Sequence, residues 1–68
     1  MSKAATIVDH FGHRNRFLAV LVTAELNATS AWEMEFTRDL RERFEKWDYR
    51  MQLSDLQHQQ LTRIAGEF

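Results

Sequence analysis

Ser30 to Trp47 reads SAWEMEFTRDLRERFEKW, and within it Trp32, Phe36, Leu40, Phe44 and Trp47 recur at spacings of four, four, four and three. That spacing lines apolar side chains along one side of an α-helix. Ser30 and Glu33 form a capping box, in which the serine hydroxyl accepts from a backbone N–H of the first turn and the glutamate reaches back to the cap. A helix is therefore predicted over residues 31–48. Its other face carries Glu35, Arg38, Arg41, Glu42, Glu45 and Lys46, with Glu35–Arg38, Arg38–Glu42, Arg41–Glu45 and Glu42–Lys46 three or four residues apart. At about 0.2–0.5 kcal/mol each, such pairs describe a solvated helix face rather than a set of catalytic carboxylates. Neither proline nor glycine interrupts residues 31–65.

Moving toward the C-terminus, Asp48–Gln52 reads as a connection, because Ser54 and Gln57 repeat the capping-box pattern and open a helix over 54–66. Leu53 is placed to staple it, Leu56, Gln60, Leu61, Ile64 and Phe68 lie along one side, and Gly66 is a stop. Moving toward the N-terminus, residues 27–30 (NATS) form a polar link to NRFLAVLVTAEL, residues 15–26. This segment is predicted as a helix capped by Asn15, with Phe17, Leu18, Leu21, Val22 and Glu25 on adjoining faces and the stripe running on to Leu26. Its branched residues Val20, Val22 and Thr23 are the argument for a strand. In residues 2–13, Ile7, Val8 and Phe11 suit one turn of helix or a short strand equally. The helix would be capped by Ser2 and ended by Gly12; the strand would pair with 16–23 through the GHRN loop.

Three apolar stripes joined by short connections have one simple solution, an all-α small antiparallel three-helix bundle with helix 31–48 in the middle. Sixty-eight residues make a single domain, 1–68, near the lower size limit at which one apolar core offsets chain entropy. No cysteine is present to add a disulfide or a thiolate metal site, so self-association as a homodimer or a partner is a natural further source of stability. The apolar run Phe17–Val22 falls far short of the roughly twenty residues that span a bilayer. It is also too short, and lacks a small-x-small cleavage site, to read as a secretory signal. The expectation is a cytoplasmic protein with no membrane partner.

Nine Lys and Arg against ten Asp and Glu give a net charge of −1, without the basic field that drives non-specific nucleic-acid binding. Residues 1–24 are mildly basic, with Lys3, Arg14 and Arg16 against Asp9. His10 and His13, preceded by Asp9, are spaced like metal ligands if the segment is helical, but Gly12 lies between them and no fourth ligand is fixed; no metal and no cofactor are assigned. Catalysis lacks its usual signs: no cysteine, no glycine-rich phosphate loop, no nucleophile elbow and no HExxH, in a chain with little volume for a pocket. The chain is read as non-enzymatic.

Two binding readings remain. Trp47, Tyr49, Arg50 and Met51, grouped where the long helix ends, are the side-chain types that anchor protein interfaces. The alternative is a helix-turn-helix-like nucleic-acid module, with Gln57, Gln60 and Arg63 in residues 54–65 facing a groove and Arg14 and Arg16 as a basic arm. One arginine with Asp55 at the helix start neutralises few phosphates, so protein recognition is preferred.

About half of the chain, from WEMEF through LSDLQHQQLTRIA, resembles small helical proteins of phages and prophages. The matching positions are Trp32, Glu33 and Phe36 at one helix start, then Leu53, Ser54, Gln57, Leu61 and Ile64 in the next. The resemblance implies a mobile-element origin, a setting in the cytoplasm of an infected or lysogenic bacterial host, and an accessory role in binding a host or phage protein. Inhibitors of host defence, anti-CRISPR proteins among them, are one class of such accessories.

Overall fold

The computed structural model describes residues 5–66, so Ser2, Lys3 and Phe68 lie outside the described residues. The chain is all-α, a small helical bundle of α1 (Ile7–Phe11), α2 (Arg14–Asn27), α3 (Ala31–Trp47) and α4 (Asp55–Ala65), with a 3₁₀ turn over Asp48–Arg50. Ile7–Phe11 is thus a fourth, short helix within the N-terminal segment. Thr6 caps it: its hydroxyl accepts from the Asp9 N–H at 3.2 Å while the Asp9 carboxylate accepts from the Thr6 N–H at 2.9 Å. Gly12, at φ 81°, ends it in the left-handed conformation that costs glycine nothing, and its N–H donates to Val8 O at 2.7 Å.

Five residues of helix do not persist alone in water. Two main-chain bonds tie this one down: Ile7 N–H donates to Met51 O at 2.9 Å, and Leu53 N–H donates to Ala5 O at 2.7 Å. Residues 5–7 therefore pair antiparallel with 51–53 through the isolated Thr6–Gln52 bridge, and not with 16–23. No strand forms among the described residues.

The two capping boxes are present as expected. Ser30 Oγ accepts from Glu33 N–H at 3.1 Å, and Ser54 Oγ accepts from Gln57 N–H at 3.1 Å while Gln57 Oε1 accepts from Ser54 N–H at 3.0 Å. Helix α2, however, is capped by His13, whose Nδ1 accepts from Asn15 N–H at 3.1 Å. Asn15 sits inside the helix, where its Oδ1 accepts from Arg14 Nη1 at 2.9 Å.

The larger correction concerns which helix is central. Helix α2 packs against α1, α3 and α4, so α2 and not α3 is the middle of the bundle. It buries Phe17, Val20, Leu21 and Ala24, an i, i+3, i+4, i+7 face, and leaves Val22 and Leu26 in water. Helix α3 contributes Thr37, Leu40 and Phe44 to the interior, while Trp32 and Trp47 at its two ends stay largely exposed. Trp32 stacks on Phe36, ring centroids 5.0 Å apart, rather than entering the core. In α4, Leu61, Ile64 and Ala65 are buried together with the preceding Leu53, and Leu56 is exposed.

Polar groups are well matched in this interior. Thr37, the one buried polar residue among the described residues, donates its hydroxyl to Glu33 O at 3.0 Å and lies 3.1 Å from Met34 O. No buried side-chain nitrogen or oxygen among the described residues lacks a partner. Arg41 reaches across to α2, where Nε and Nη2 donate to the two Glu25 carboxylate oxygens at 2.9 and 2.6 Å. That fork holds the Arg41 guanidinium more basic than usual and joins α2 to α3, in place of a pairing along α3.

Candidate functional site

The end of α3 is shaped by Asp48. Its carboxylate accepts two bonds from Arg14, from Nε at 2.6 Å and from Nη2 at 3.0 Å, and a third from the Tyr49 N–H at 2.7 Å. Hydrogen bonding by the Arg14 guanidinium, aided by the Tyr49 N–H, holds the Asp48 carboxyl below the usual carboxylate range, and the same bridge raises Arg14. Asp48 has φ 52°, a positive value that residues with a Cβ rarely adopt. The bridge ties the start of α2 to the end of α3, with the Arg14 guanidinium carbon 5.2 Å from the centroid of the Phe44 ring.

This locked turn presents two rings to solvent, Trp47 at 46% and Tyr49 at 58% exposure. Lys46 Nζ lies 5.4 Å from the centroid of the Trp47 ring. Beside Trp47 is a groove of about 440 Å³ lined by Arg43, Trp47, Arg50 and Gln52, two guanidiniums and no carboxylate. Arg43 Nη2 donates to Gln52 O at 2.8 Å and so fixes one wall to the segment that pairs with α1; Asp39 is 4.0 Å from Arg43 Nη1.

Three of the four residues expected to anchor a partner are brought together here: Trp47, Tyr49 and exposed Arg50. Met51 is not on this surface. It is 1% exposed, and its carbonyl accepts the Ile7 N–H, which draws the residue into the core against α1. Arg43 and Gln52 were missed by sequence reasoning. The signal for Arg43 was its place four residues before Trp47, one helical turn away on the same face; Gln52 had none.

The residues of the nucleic-acid reading divide. Arg14 is held by Asp48, and Gln57 belongs to the α4 capping box. Gln60 Oε1 accepts from Arg63 Nε and Nη2 at 3.1 and 2.8 Å. Arg16 and Arg63 meet in a second open groove, of about 670 Å³, together with His10, Phe11, His58 and Thr62.

The Asp9, His10 and His13 side chains are each engaged in the fold. Asp9 caps α1 with Thr6, His13 caps α2, and His10 Nε2 donates to Leu53 O at 2.6 Å. No group of three or more His, Cys, Asp and Glu side chains suited to a metal occurs among the described residues. Every serine and threonine hydroxyl among them serves a cap, a main-chain carbonyl or Glu33. Both grooves are lined by arginine side chains and aromatic rings.

No helix among the described residues is long and apolar enough to cross a membrane. Comparison with family models, curated proteins and solved structures finds no match.

Proposed function

We propose that this chain is a small non-enzymatic accessory protein that binds another protein through the Trp47–Tyr49–Arg50 turn. The observation that carries the reading is the pair of solvent-facing rings on a turn held by three hydrogen bonds to Asp48, beside the Arg43–Arg50 groove. Aromatic and arginine side chains are enriched among the strongest interface anchors, the rings because few torsions are frozen when they are covered and arginine because its planar fork makes several hydrogen bonds at once. The charge of the groove selects a partner segment carrying a carboxylate next to an apolar side chain.

The resemblance to phage and prophage proteins supports an accessory role toward a host protein, a defence component among the classes it would inhibit. Most positions that carry the resemblance are caps and core: Glu33 completes the α3 cap, Ser54 and Gln57 cap α4, and Leu53, Leu61 and Ile64 are buried, while Phe36 is half-buried and Trp32 exposed. They bear on the fold and leave the choice of partner to the Trp47 end. Affinity capture from host lysate tests the reading, with wild type compared to Trp47→Ala/Tyr49→Ala and Tyr49→Ala/Arg50→Ala variants whose helical content is verified. Each double variant is expected to lose the captured protein at least about 30-fold, the scale of one interface anchor. Capture of the same proteins at the same yield by both variants would refute it. Light scattering across concentration separates a second copy of the chain from a foreign partner.

A further inference from the structure

Helix α3 packs chiefly on α2 and on the 3₁₀ turn, which leaves a strip along its other side facing water. At roughly 100° per residue, Glu35, Phe36, Asp39, Arg43, Lys46 and Trp47 fall within an arc of about 120° on that side. Glu35, Asp39, Lys46 and Trp47 are exposed, and Phe36 and Arg43 are half-buried. Each end of the strip carries a ring held by a neighbour. Trp32 stacks on Phe36 with centroids 5.0 Å apart, and Lys46 Nζ lies 5.4 Å from the centroid of the Trp47 ring. Between them, Arg43 is oriented by its bond to Gln52 O at 2.8 Å.

The charges along this strip are segregated, with the acids Glu35 and Asp39 in the first half of the helix and the bases Arg43 and Lys46 in the second. A second α3 laid antiparallel across it, under a two-fold axis perpendicular to both helices, sets the acidic half of each against the basic half of the other. Glu35 then faces the Lys46 of the copy, Asp39 its Arg43, and Phe36 its Trp47, while at one edge of the strip Arg38 faces its Glu42. The residue numbers of these four pairs sum to between 80 and 83, so a single register centred near Arg41 serves them all. The two-fold keeps each edge of the strip against the same edge of the copy, and the members of each pair do share an edge. A parallel arrangement would instead set Glu35, Asp39, Arg43 and Lys46 each beside its own kind, which is unfavourable.

We infer that α3 binds a second copy of this chain in antiparallel register through this strip. The inference does not rest on the foreign partner proposed above; Trp47 borders both surfaces, but Tyr49 and Arg50 lie beyond the helix. A helix of 17 residues is about 25 Å long and about 10 Å wide, so the contact is at the small end of specific interfaces and association is expected between about 10 μM and 1 mM.

Sedimentation equilibrium of the full chain over that range tests it. The mass should rise from monomer toward dimer with concentration, and less so at high salt. Glu35→Lys and Lys46→Glu, both at exposed positions, each place like charges together at two points of the dimer and should each weaken association at least about tenfold. Mixed in equal amounts, the two variants should associate about as well as wild type, because every reversed charge then meets its opposite. A wild-type chain that stays monomeric throughout overturns the inference. So does association unchanged in both single variants, which would place the contact on another face, or loss in both without recovery in the mixture, which would exclude the antiparallel register. Binding of a foreign protein is read separately, by the capture experiment with the Tyr49 and Arg50 variants, so either reading can fail without the other.

Discussion

Replacing Leu21 by alanine is expected to destabilise this fold more than removing the far larger indole of Trp32. Leu21 is fully buried on the face of α2 that meets the rest of the bundle, and truncating such a leucine costs about 2–5 kcal/mol, the transfer term plus the cavity left behind. Trp32 keeps 54% of its surface in water and stacks on Phe36 at the start of α3. A tryptophan buries roughly 150–250 Å² when covered, so about half of that, at 25 cal/mol per Å², sets an upper bound near 2–3 kcal/mol. The unfolded chain already shields part of this area and no cavity is left behind, which brings the expected cost of Trp32→Ala to about 1 kcal/mol.

A domain of this length has about 3–10 kcal/mol in total, so the two variants are readily told apart. Trp32→Ala should lower Tm by about 4–8 °C, and Leu21→Ala by roughly twice that or more. Urea unfolding followed by far-UV circular dichroism is the assay, because removing Trp32 changes the fluorescence probe itself. If Leu21→Ala lacks a native baseline, Val20→Ala on the same buried face makes the comparison, with two methyl groups lost at about 0.8 kcal/mol each plus the cavity. A Trp32→Ala cost equal to or above that of the α2 variants would refute the assignment of the core to α2.

Two further predictions concern local devices. Burial, and then the charge of neighbouring His10, lower the pKa of His58 from its ordinary value near 6.5, with Asp55 opposing; Arg16 and Arg63 line the same groove. The native state therefore binds a proton there less readily than the unfolded chain, so this contribution is complete above about pH 6.5 and is lost as pH falls through the lower native pKa. The urea midpoint should drop on going from about pH 7.5 to 5.5, and His58→Gln should flatten that dependence; an equally steep slope in the variant would disprove it. Ser54→Ala removes the hydroxyl that accepts the Gln57 N–H and should cost about 1 kcal/mol, a Tm fall of about 4–8 °C, against no change if α4 begins without its cap.

Local chemistry was legible in the sequence. The Ser30–Glu33 and Ser54–Gln57 boxes and the glycine stops at 12 and 66 each depend on a few adjacent residues, and all are present. What depends on the neighbours was not. The stripe from Trp32 to Phe44 has a spacing of four, and at roughly 100° per residue it drifts about 40° around the helix at every step. Trp32 therefore lies roughly 80° from Leu40, while the buried Thr37 and Phe44 lie on Leu40's other side. The stripe winds off the core, a fact visible only once the packed face is known. Met51 was hidden for the same reason: its burial follows from a bond to Ile7, some forty residues away in the chain. His13 as the α2 cap was legible in principle, since an imidazole nitrogen can accept a backbone N–H two residues on, but Asn15 is the commoner capping residue.

Asp48 joins the fold to the proposed interface. A residue with a Cβ at φ 52° persists only where its surroundings over-determine it, and here Arg14 and the Tyr49 N–H do so. Glycine would adopt this backbone freely and would give up the carboxylate that three donors converge on. The aspartate is thus worth its backbone strain only if the direction taken by the chain after Trp47 matters. Two things depend on that direction: residues 51–53 reach α1, where their main-chain groups complete the Ile7 and Ala5 bonds, and Trp47 and Tyr49 stay exposed to solvent. The first alone is a folding requirement, and a glycine turn would meet it. On the function proposed above, the clamp to α2 also holds both rings in place before a partner arrives, which lowers the ordering cost of binding.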